Sequence, residues 1–266
     1  MSSGIITLTT DFGACDGYVG AMKGVMLGIL PKATIVDISH EIPPQDIDAA
    51  AFVINSTFRF FPPKSVHVVV VDPAVGSARR ILCVAAGDHL FLAPDNGVLK
   101  FIFQDHPSAT TYHVSNSKYF LLNVSRTFHG RDIFAPVAAH LANGLPIGEI
   151  GNLTSGYEKG RLPNLVERGN QIIGEVIYVD RFGNLVTNIS AAKLEHERNK
   201  ISIRVDGREM HGVVNSYFAG QKGEPIALIG SAGLLEIAVN SGSAKHKLTL
   251  NIGDKVTALL KDTGCN

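Results

Sequence analysis

Tryptophan is absent from the chain, cysteine occurs only 3 times in 266 residues, and charged residues make up only 18%. Each shortage excludes something. Cys15, Cys83 and Cys265 are odd in number, far apart and form no C-x-x-C pair, so neither a disulfide framework nor a cysteine-built zinc site is expected. With 24 acidic against 24 basic residues, the formal charge is zero, which leaves no basic footprint for nucleic acid. No Lys/Arg cluster marks a membrane surface, and the longest apolar runs, such as residues 66–71, are far too short to span a bilayer. Met1-Ser2-Ser3-Gly4 lacks the basic and apolar regions of a signal peptide, so a soluble cytoplasmic protein is the expectation. No G-x-G-x-x-G or Walker sequence occurs, which disfavours dinucleotides and nucleoside triphosphates.

What is present is a change of pattern along the chain. Up to about residue 150, strand-like runs (5–9, 34–38, 66–71, 81–85 and 90–93) alternate with helix-like ones (18–30, 46–58 and 133–141). That alternation implies an α/β domain over residues 1–155 with a mostly parallel sheet covered on both faces. The run at 66–71 reads as its central strand. Residues 156–170 suit a linker. From 171 to 266 strand follows strand, with only residues 191–197 looking helical, which reads as a small antiparallel β-sandwich or barrel.

Several short segments could carry chemistry. Asp11, in Thr9-Thr10-Asp11-Phe12-Gly13, ends the first strand, where a carboxylate can hold ribose hydroxyls or cap the next helix. Asp72-Pro73 follows the central strand, and Arg79 stands beyond Gly76, with Arg80 pointing to the opposite face in strand geometry. His129-Gly130-Arg131-Asp132 follows a second apolar run, residues 119–124, which also reads as a buried strand. Residues just past strand ends line the ligand crevice of an open α/β sheet. Asp72, Arg79 and His129 could therefore meet there, a combination suited to a proton or a water molecule. His40 is a weaker candidate, and His140 reads as packing within a helix. In the second half, Asp180, Asn184 and Asn188 surround a tight bend, either as a hairpin turn or to read the edge of a purine. Residues 230–236 are likewise a hairpin or a backbone cradle.

Taken together, TTDFG, DPAVGSARR, FHGRDIFAP, DRFGNLVTN and GSAGLLEIAVNSG resemble, in order and spacing, the S-adenosylmethionine (SAM) hydrolases. These are also called SAM hydroxide adenosyltransferases and are relatives of fluorinase and chlorinase. The resemblance runs from Thr9 to Ser241. It implies attack of a water-derived hydroxide on C5′ of SAM, releasing adenosine and L-methionine, with no cofactor and no metal. It also implies an N-terminal Rossmann-like domain, a C-terminal β-barrel, and a homotrimer with sites between neighbouring subunits. By the same resemblance the water-handling residues are Asp72, Arg79 and His129, and the ribose-binding acid is Asp11. Asn184 and Phe218 match the adenine pocket, Asp180 and Ser231 the methionine end, and Glu236, Val239 and Ser241 the segment closing over the base. Fluoride-binding relatives carry Tyr, Ser and Trp where Asp72, Gly130 and Gln45 stand, so hydroxide is the expected nucleophile. Whether Asp72 or His129 takes the proton stays open, with His129 favoured because a neighbouring guanidinium weakens a carboxylate as a base. The rival readings are a metal-dependent nucleoside hydrolase, faintly suggested by Asp11 and Asp16, and a non-catalytic SAM or adenosine sensor.

Overall fold

In the computed structural model, which describes residues 3–194 and 201–260, the chain divides into two units, Met1–Leu162 and Pro163–Asn266. No helix among the described residues is long and apolar enough to cross a membrane.

The first unit starts with two β-α-β passages. β1 (Ile5–Thr10) leads through α1 (Tyr18–Ile29) to β2 (Thr34–Ser39), and α2 (Ile47–Thr57) leads on to β3 (Val66–Val70). The helical stripe of α1 buries Met22 and Met26 completely, with Val19, Val25 and Ile29 packed beside them. α2 is started by Asp46, whose carboxylate accepts the Ala49 N–H at 2.8 Å. The unit continues through β4 (Ile81–Ala86), β5 (His89–Pro94), α3 (Lys100–Asp105), β6 (Thr110–Val114), α4 (Ala135–Ala142) and β7 (Gly151–Leu153). The sheet order is β2-β1-β3-β5-β4-β6-β7.

Two expectations are corrected here. The sheet is mixed rather than mostly parallel: β1, β2, β3 and β5 run parallel, whereas β4, β6 and β7 pair antiparallel. The reason is local. Only Gly87 and Asp88 separate β4 from β5, and a two-residue connection closes a hairpin but cannot make a parallel crossover. Residues 119–124 form no strand either. Tyr119 ends a short 3₁₀ turn and lays its ring 5.1 Å from His140, while Leu122 is 97% exposed. The place beside β6 is taken by β7, and of this run only Tyr119, against α4, and Phe120 pack on the core. His140 does pack within the helix, as expected.

β3 is buried along its whole length, and its one polar residue, His67, went unnoticed in the sequence. Its Nδ1 lies 2.8 Å from the Thr7 hydroxyl and its Nε2 lies 3.1 Å from His89 Nδ1, and the ring stacks on Phe91. Burial, reinforced by His89, lowers the His67 pKa to about 3 from an ordinary 6.5. His89 is itself lowered, chiefly by burial, which outweighs an upward pull from Asp88, with a lesser downward push from His106. A base that protonates more readily when unfolded removes stability as pH falls. The unfolding midpoint is therefore expected to fall as pH drops below 6.5 toward 3, and to fall less in His67→Gln, as thermal melts across that range would register.

The second unit is almost entirely antiparallel. β8 (Val166–Arg168) pairs with β9 (Gln171–Val179). The other strands are β10 (Leu185–Ser190), β11 (Ile201–Val205), β12 (Arg208–His211), β13 (Pro225–Ile229), β14 (Leu234–Val239) and β15 (Lys255–Leu260). With β9 they follow the path β12-β11-β15-β9-β10-β14-β13. The path nearly closes into a barrel, the Val214 N–H donating to the Ala227 carbonyl at 2.8 Å across the gap. Leu185, Ile189, Ile203, Leu235, Ile237 and Val256 fill the interior, and α5 (Ala244–Leu248) packs against β14. The helix expected over 191–197 is a single 3₁₀ turn, Ala191–Lys193, and its remainder, residues 195–197, lies outside the described residues.

Candidate active site

β3 delivers its chain end at Asp72, and residues 72–79 cross to the start of β4. Arg79 folds back across that loop. Its Nε donates to both Asp72 carboxylate oxygens, at 3.0 and 2.7 Å, and its Nη2 also pairs with Asp72. The same Nη2 donates to Nδ1 of His129 at 2.8 Å. Asp72 and Arg79 side chains are only 5% and 8% exposed, so these are charge-assisted bonds largely shielded from water. Arginine can only donate. His129 Nδ1 is thus an acceptor, and the ring is neutral with its proton on Nε2. Burial first, and then Arg79, lower the His129 pKa, against smaller upward pulls from Asp72 and Asp132. The three residues meet through Arg79, which bridges an acid and an imidazole.

The loop's crest requires glycine. Gly76 has φ +79°, and a Cβ there would lie well inside contact with the carbonyl oxygen of Arg126, three residues before His129. The His129 end is held separately. His129 precedes a π-helical turn, Gly130–Phe134, that runs into α4. Fully buried Asp132 accepts the Ser125 N–H at 2.8 Å and two bonds from Arg131, at 2.6 and 3.0 Å. Burial would raise the Asp132 pKa, but these bonds outweigh it and hold it low.

Asp11 caps no helix, since α1 starts at Tyr18 behind Gly17. Its Oδ2 accepts the N–H of Gln45 at 2.9 Å, and Gln45 adopts a left-handed φ of 66° to supply it. His40 braces the same strand end: Nδ1 meets the Thr10 hydroxyl at 2.8 Å and Nε2 meets Asp37 at 2.9 Å. Beside them lies an aromatic cluster that sequence reasoning missed. Phe12, Tyr18 and Phe128 stand with ring centres 5.2–6.0 Å apart. Among the described residues no group of three or more His, Cys, Asp or Glu is placed to hold a metal ion.

The second unit gathers its own group. Asp180 Oδ1 accepts the N–H of Phe182 at 2.9 Å and of Asn184 at 2.8 Å, while Oδ2 accepts the Asn184 side-chain amide at 2.9 Å. The acid thus builds the turn and orients the buried amide of Asn184. Across from it Glu236, on β14, accepts the Tyr217 hydroxyl at 2.6 Å. Burial raises the Glu236 pKa, the Tyr217 bond opposes this, and nearby Asp180 adds to the rise. Val239 is buried at the end of β14, whereas Ser231 and Ser241 are exposed in the turns at either end of that strand. Phe218 is 89% exposed beside Tyr217, which the sequence reading did not single out.

Two outcomes follow from this geometry. Gly76→Ala is expected to cost about 1–3 kcal/mol from backbone strain alone, read by urea denaturation, and to separate Arg79 from His129. Glu236 is an acid whose folded pKa is raised, so its ionisation removes stability as pH rises past its ordinary 4.5. Glu236→Gln is therefore expected to melt above the parent protein at neutral pH, with the advantage vanishing toward pH 4.5 in thermal scans.

Comparison with known proteins adds a second line. The SAM hydroxide adenosyltransferase N-terminal domain matches residues 6–151, and the C-terminal domain of the same family matches residues 174–257. The chain is 37% identical to a protein of Salinispora tropica named (R)-S-adenosyl-L-methionine hydrolase, over 94% of this chain and 96% of that one. A Thermus thermophilus protein of the same name is also 37% identical, over 94% and 97%. A fluorinase of an Actinoplanes species is 32% identical, over 95% and 96%. An uncharacterized conserved protein from Thermotoga maritima, solved by crystallography, superposes with a TM-score of 0.90 at 39% identity, over 96% of this chain and 99% of that one. On the match of both domains in order, and on relatives spanning nearly its whole length, the chain belongs to the SAM hydroxide adenosyltransferase family.

Proposed function

We propose that this protein hydrolyses SAM to adenosine and L-methionine, with Asp72, Arg79 and His129 handling the attacking water at C5′. The observation that carries the reading is the interlock of those three side chains through Arg79 in a chain of this family.

SAM is a sulfonium, so its leaving group departs as a neutral thioether and needs no general acid. The task is to hold a water in line with the C5′–S bond. His129 Nδ1 is engaged by Arg79, and the ring's lowered pKa keeps it neutral. Its remaining polar atom, Nε2–H, is a donor suited to the water oxygen. Asp72 is then the acceptor for the water's proton, which reverses the preference for His129 drawn from sequence. A carboxylate at this place also repels a halide, which favours hydroxide transfer over halogenation. Aligning reactants can supply roughly 7–11 kcal/mol, whereas general-base help is typically about 10²–10⁴-fold, so placement of the water dominates.

The remaining roles extend the same reading. Asp11 accepts the ribose hydroxyls, and Asn184, oriented by Asp180, presents amide atoms to the adenine edge. Phe218 stacks on the base, Ser231 and Asp180 lie toward the methionine end, and Glu236, Val239 and Ser241 close over the base. The first unit is a Rossmann-like variant, no cofactor enters, and a cytoplasmic homotrimer places its sites between neighbouring subunits.

The decisive experiment incubates the pure protein with each sulfonium epimer of SAM, with and without EDTA, and follows adenosine by chromatography. Adenosine is expected, unaffected by EDTA. Asp72→Asn is expected to lower kcat by about 10²–10⁴-fold with SAM binding retained, while Asp11→Ala weakens binding of both SAM and adenosine. Binding without adenosine release would make the protein a sensor, and full turnover in both Asp72→Asn and His129→Ala would refute the water-handling role.

A further inference from the structure

The loop 72–79 leaves β3 and returns on β4, yet these strands are not neighbours, because β5 lies between them. The loop therefore passes over the end of β5, and the turn that follows β5, Asp95-Asn96, sits beneath both of its feet. Each residue of that turn grips one foot. Asn96 donates its side-chain N–H to the carbonyl of Val71, the residue before Asp72, at 2.9 Å, while its Oδ1 accepts the Val98 N–H at 3.2 Å. Asp95 donates its backbone N–H to the carbonyl of Arg80, the residue after Arg79, at 3.0 Å. Its Oδ2 also accepts Nε and Nη2 of the Arg80 side chain at 2.9 and 2.6 Å. A third tie secures the turn, since Asp95 Oδ1 accepts the Glu158 N–H at 2.7 Å, and Arg80 Nη1 reaches the Thr154 hydroxyl at 3.0 Å. The Asp95 side chain is 7% exposed.

We propose that Asp95 and Asn96 are positioning residues that set the spacing between Asp72 and Arg79, and through Arg79 the orientation of His129, by clamping the two feet of the loop that carries them. The inference rests on the function proposed above. Arg79 makes its contacts to Asp72 and His129 with one planar group, so a small shift of either foot cannot satisfy both. Neither clamp side chain hydrogen-bonds to Asp72, Arg79 or His129. Arg80 thus has a purpose distinct from that of Arg79: it faces the opposite way and locks the returning foot to the turn.

Asn96→Asp is the sharpest test. It exchanges one NH₂ for an oxygen, keeps the shape and the Val98 bond, and sets an oxygen against the Val71 carbonyl. A misplacement on the order of 1 Å can cost about 10²-fold, so kcat for SAM is expected to fall by roughly 10–100-fold. Adenosine affinity, read by calorimetry, should stay within about threefold, since Asp11 is held by Gln45 and shares no hydrogen-bond partner with the clamp. In ¹⁵N-histidine spectra, with His129→Gln for assignment, the His129 signal should leave the fixed Nε2–H pattern and approach tautomer averaging. Asp95→Asn, which turns an amide toward the Arg80 guanidinium, serves in its place if Asn96→Asp does not fold. An unchanged kcat, an unchanged His129 signal, or a loss of adenosine affinity in proportion to kcat would each overturn the clamp. The two readings separate cleanly: absence of SAM turnover in the unaltered protein defeats the proposed function, while the His129 spectrum still decides the clamp.

Discussion

One guanidinium organises the first unit's candidate site. Arg79 reaches from the start of β4 to an acid at the end of β3 and an imidazole before α4, and it satisfies both while largely shielded from water. A buried acid without a partner would be costly, and so would a buried cation. Here each charge offsets the burial of the other, and the leftover donor fixes the tautomer of the histidine. The protonation pattern of the site is thereby set by covalent geometry and hydrogen bonding before any ligand arrives.

That arrangement depends on where the sheet reverses direction. Parallel order in β2-β1-β3-β5 gathers Thr10, Asp11 and Asp72 at one edge, since strands running the same way finish on the same side. The Gly87-Asp88 hairpin sets β4 antiparallel to β5, so the first residues of β4, next to Arg79, begin at that same edge. A parallel β4 would have begun at the far side of the sheet. The site thus draws on two of the strand ends at that edge and one strand start, and the acid and the arginine come from opposite kinds of terminus. The second unit solves its own task differently, spending a carboxylate, Asp180, on a turn so that a single amide is presented in one orientation.

Much of this was legible in the residues. β-branched runs marked β1, β3 and β4, helical spacing marked α1 and α2, and the strand-end position of Asp72 suggested a meeting with Arg79 and His129. The parts that escaped share a physical cause: they depend on what lies opposite, which periodicity does not report. Residues 119–124 have the apolar content of a strand, but β7 occupies the sheet position they would need. His67 looks like an interruption in a valine run until Thr7, His89 and Phe91 surround it. Phe12, Tyr18 and Phe128 are ordinary aromatics until their rings meet. Tyr217 gains meaning only from Glu236 across the barrel wall. The sheet's reversal escaped for another reason: the two-residue Gly87-Asp88 link that admits only a hairpin lies in the sequence, but the alternation of strands and helices implies parallel order when extended to the whole sheet.

The span over β5 also restricts how this chain can change length. Anchored at Val71 and Arg80 and held against Arg126 at its crest, the segment between is fixed at three points even though its residues 73–78 face solvent. Surface loops ordinarily absorb an added or missing residue at small entropic cost. This one behaves like a strung cord of set length: removing a single link would drag Asp72 and Arg79 off their common plane, and adding one would let them part.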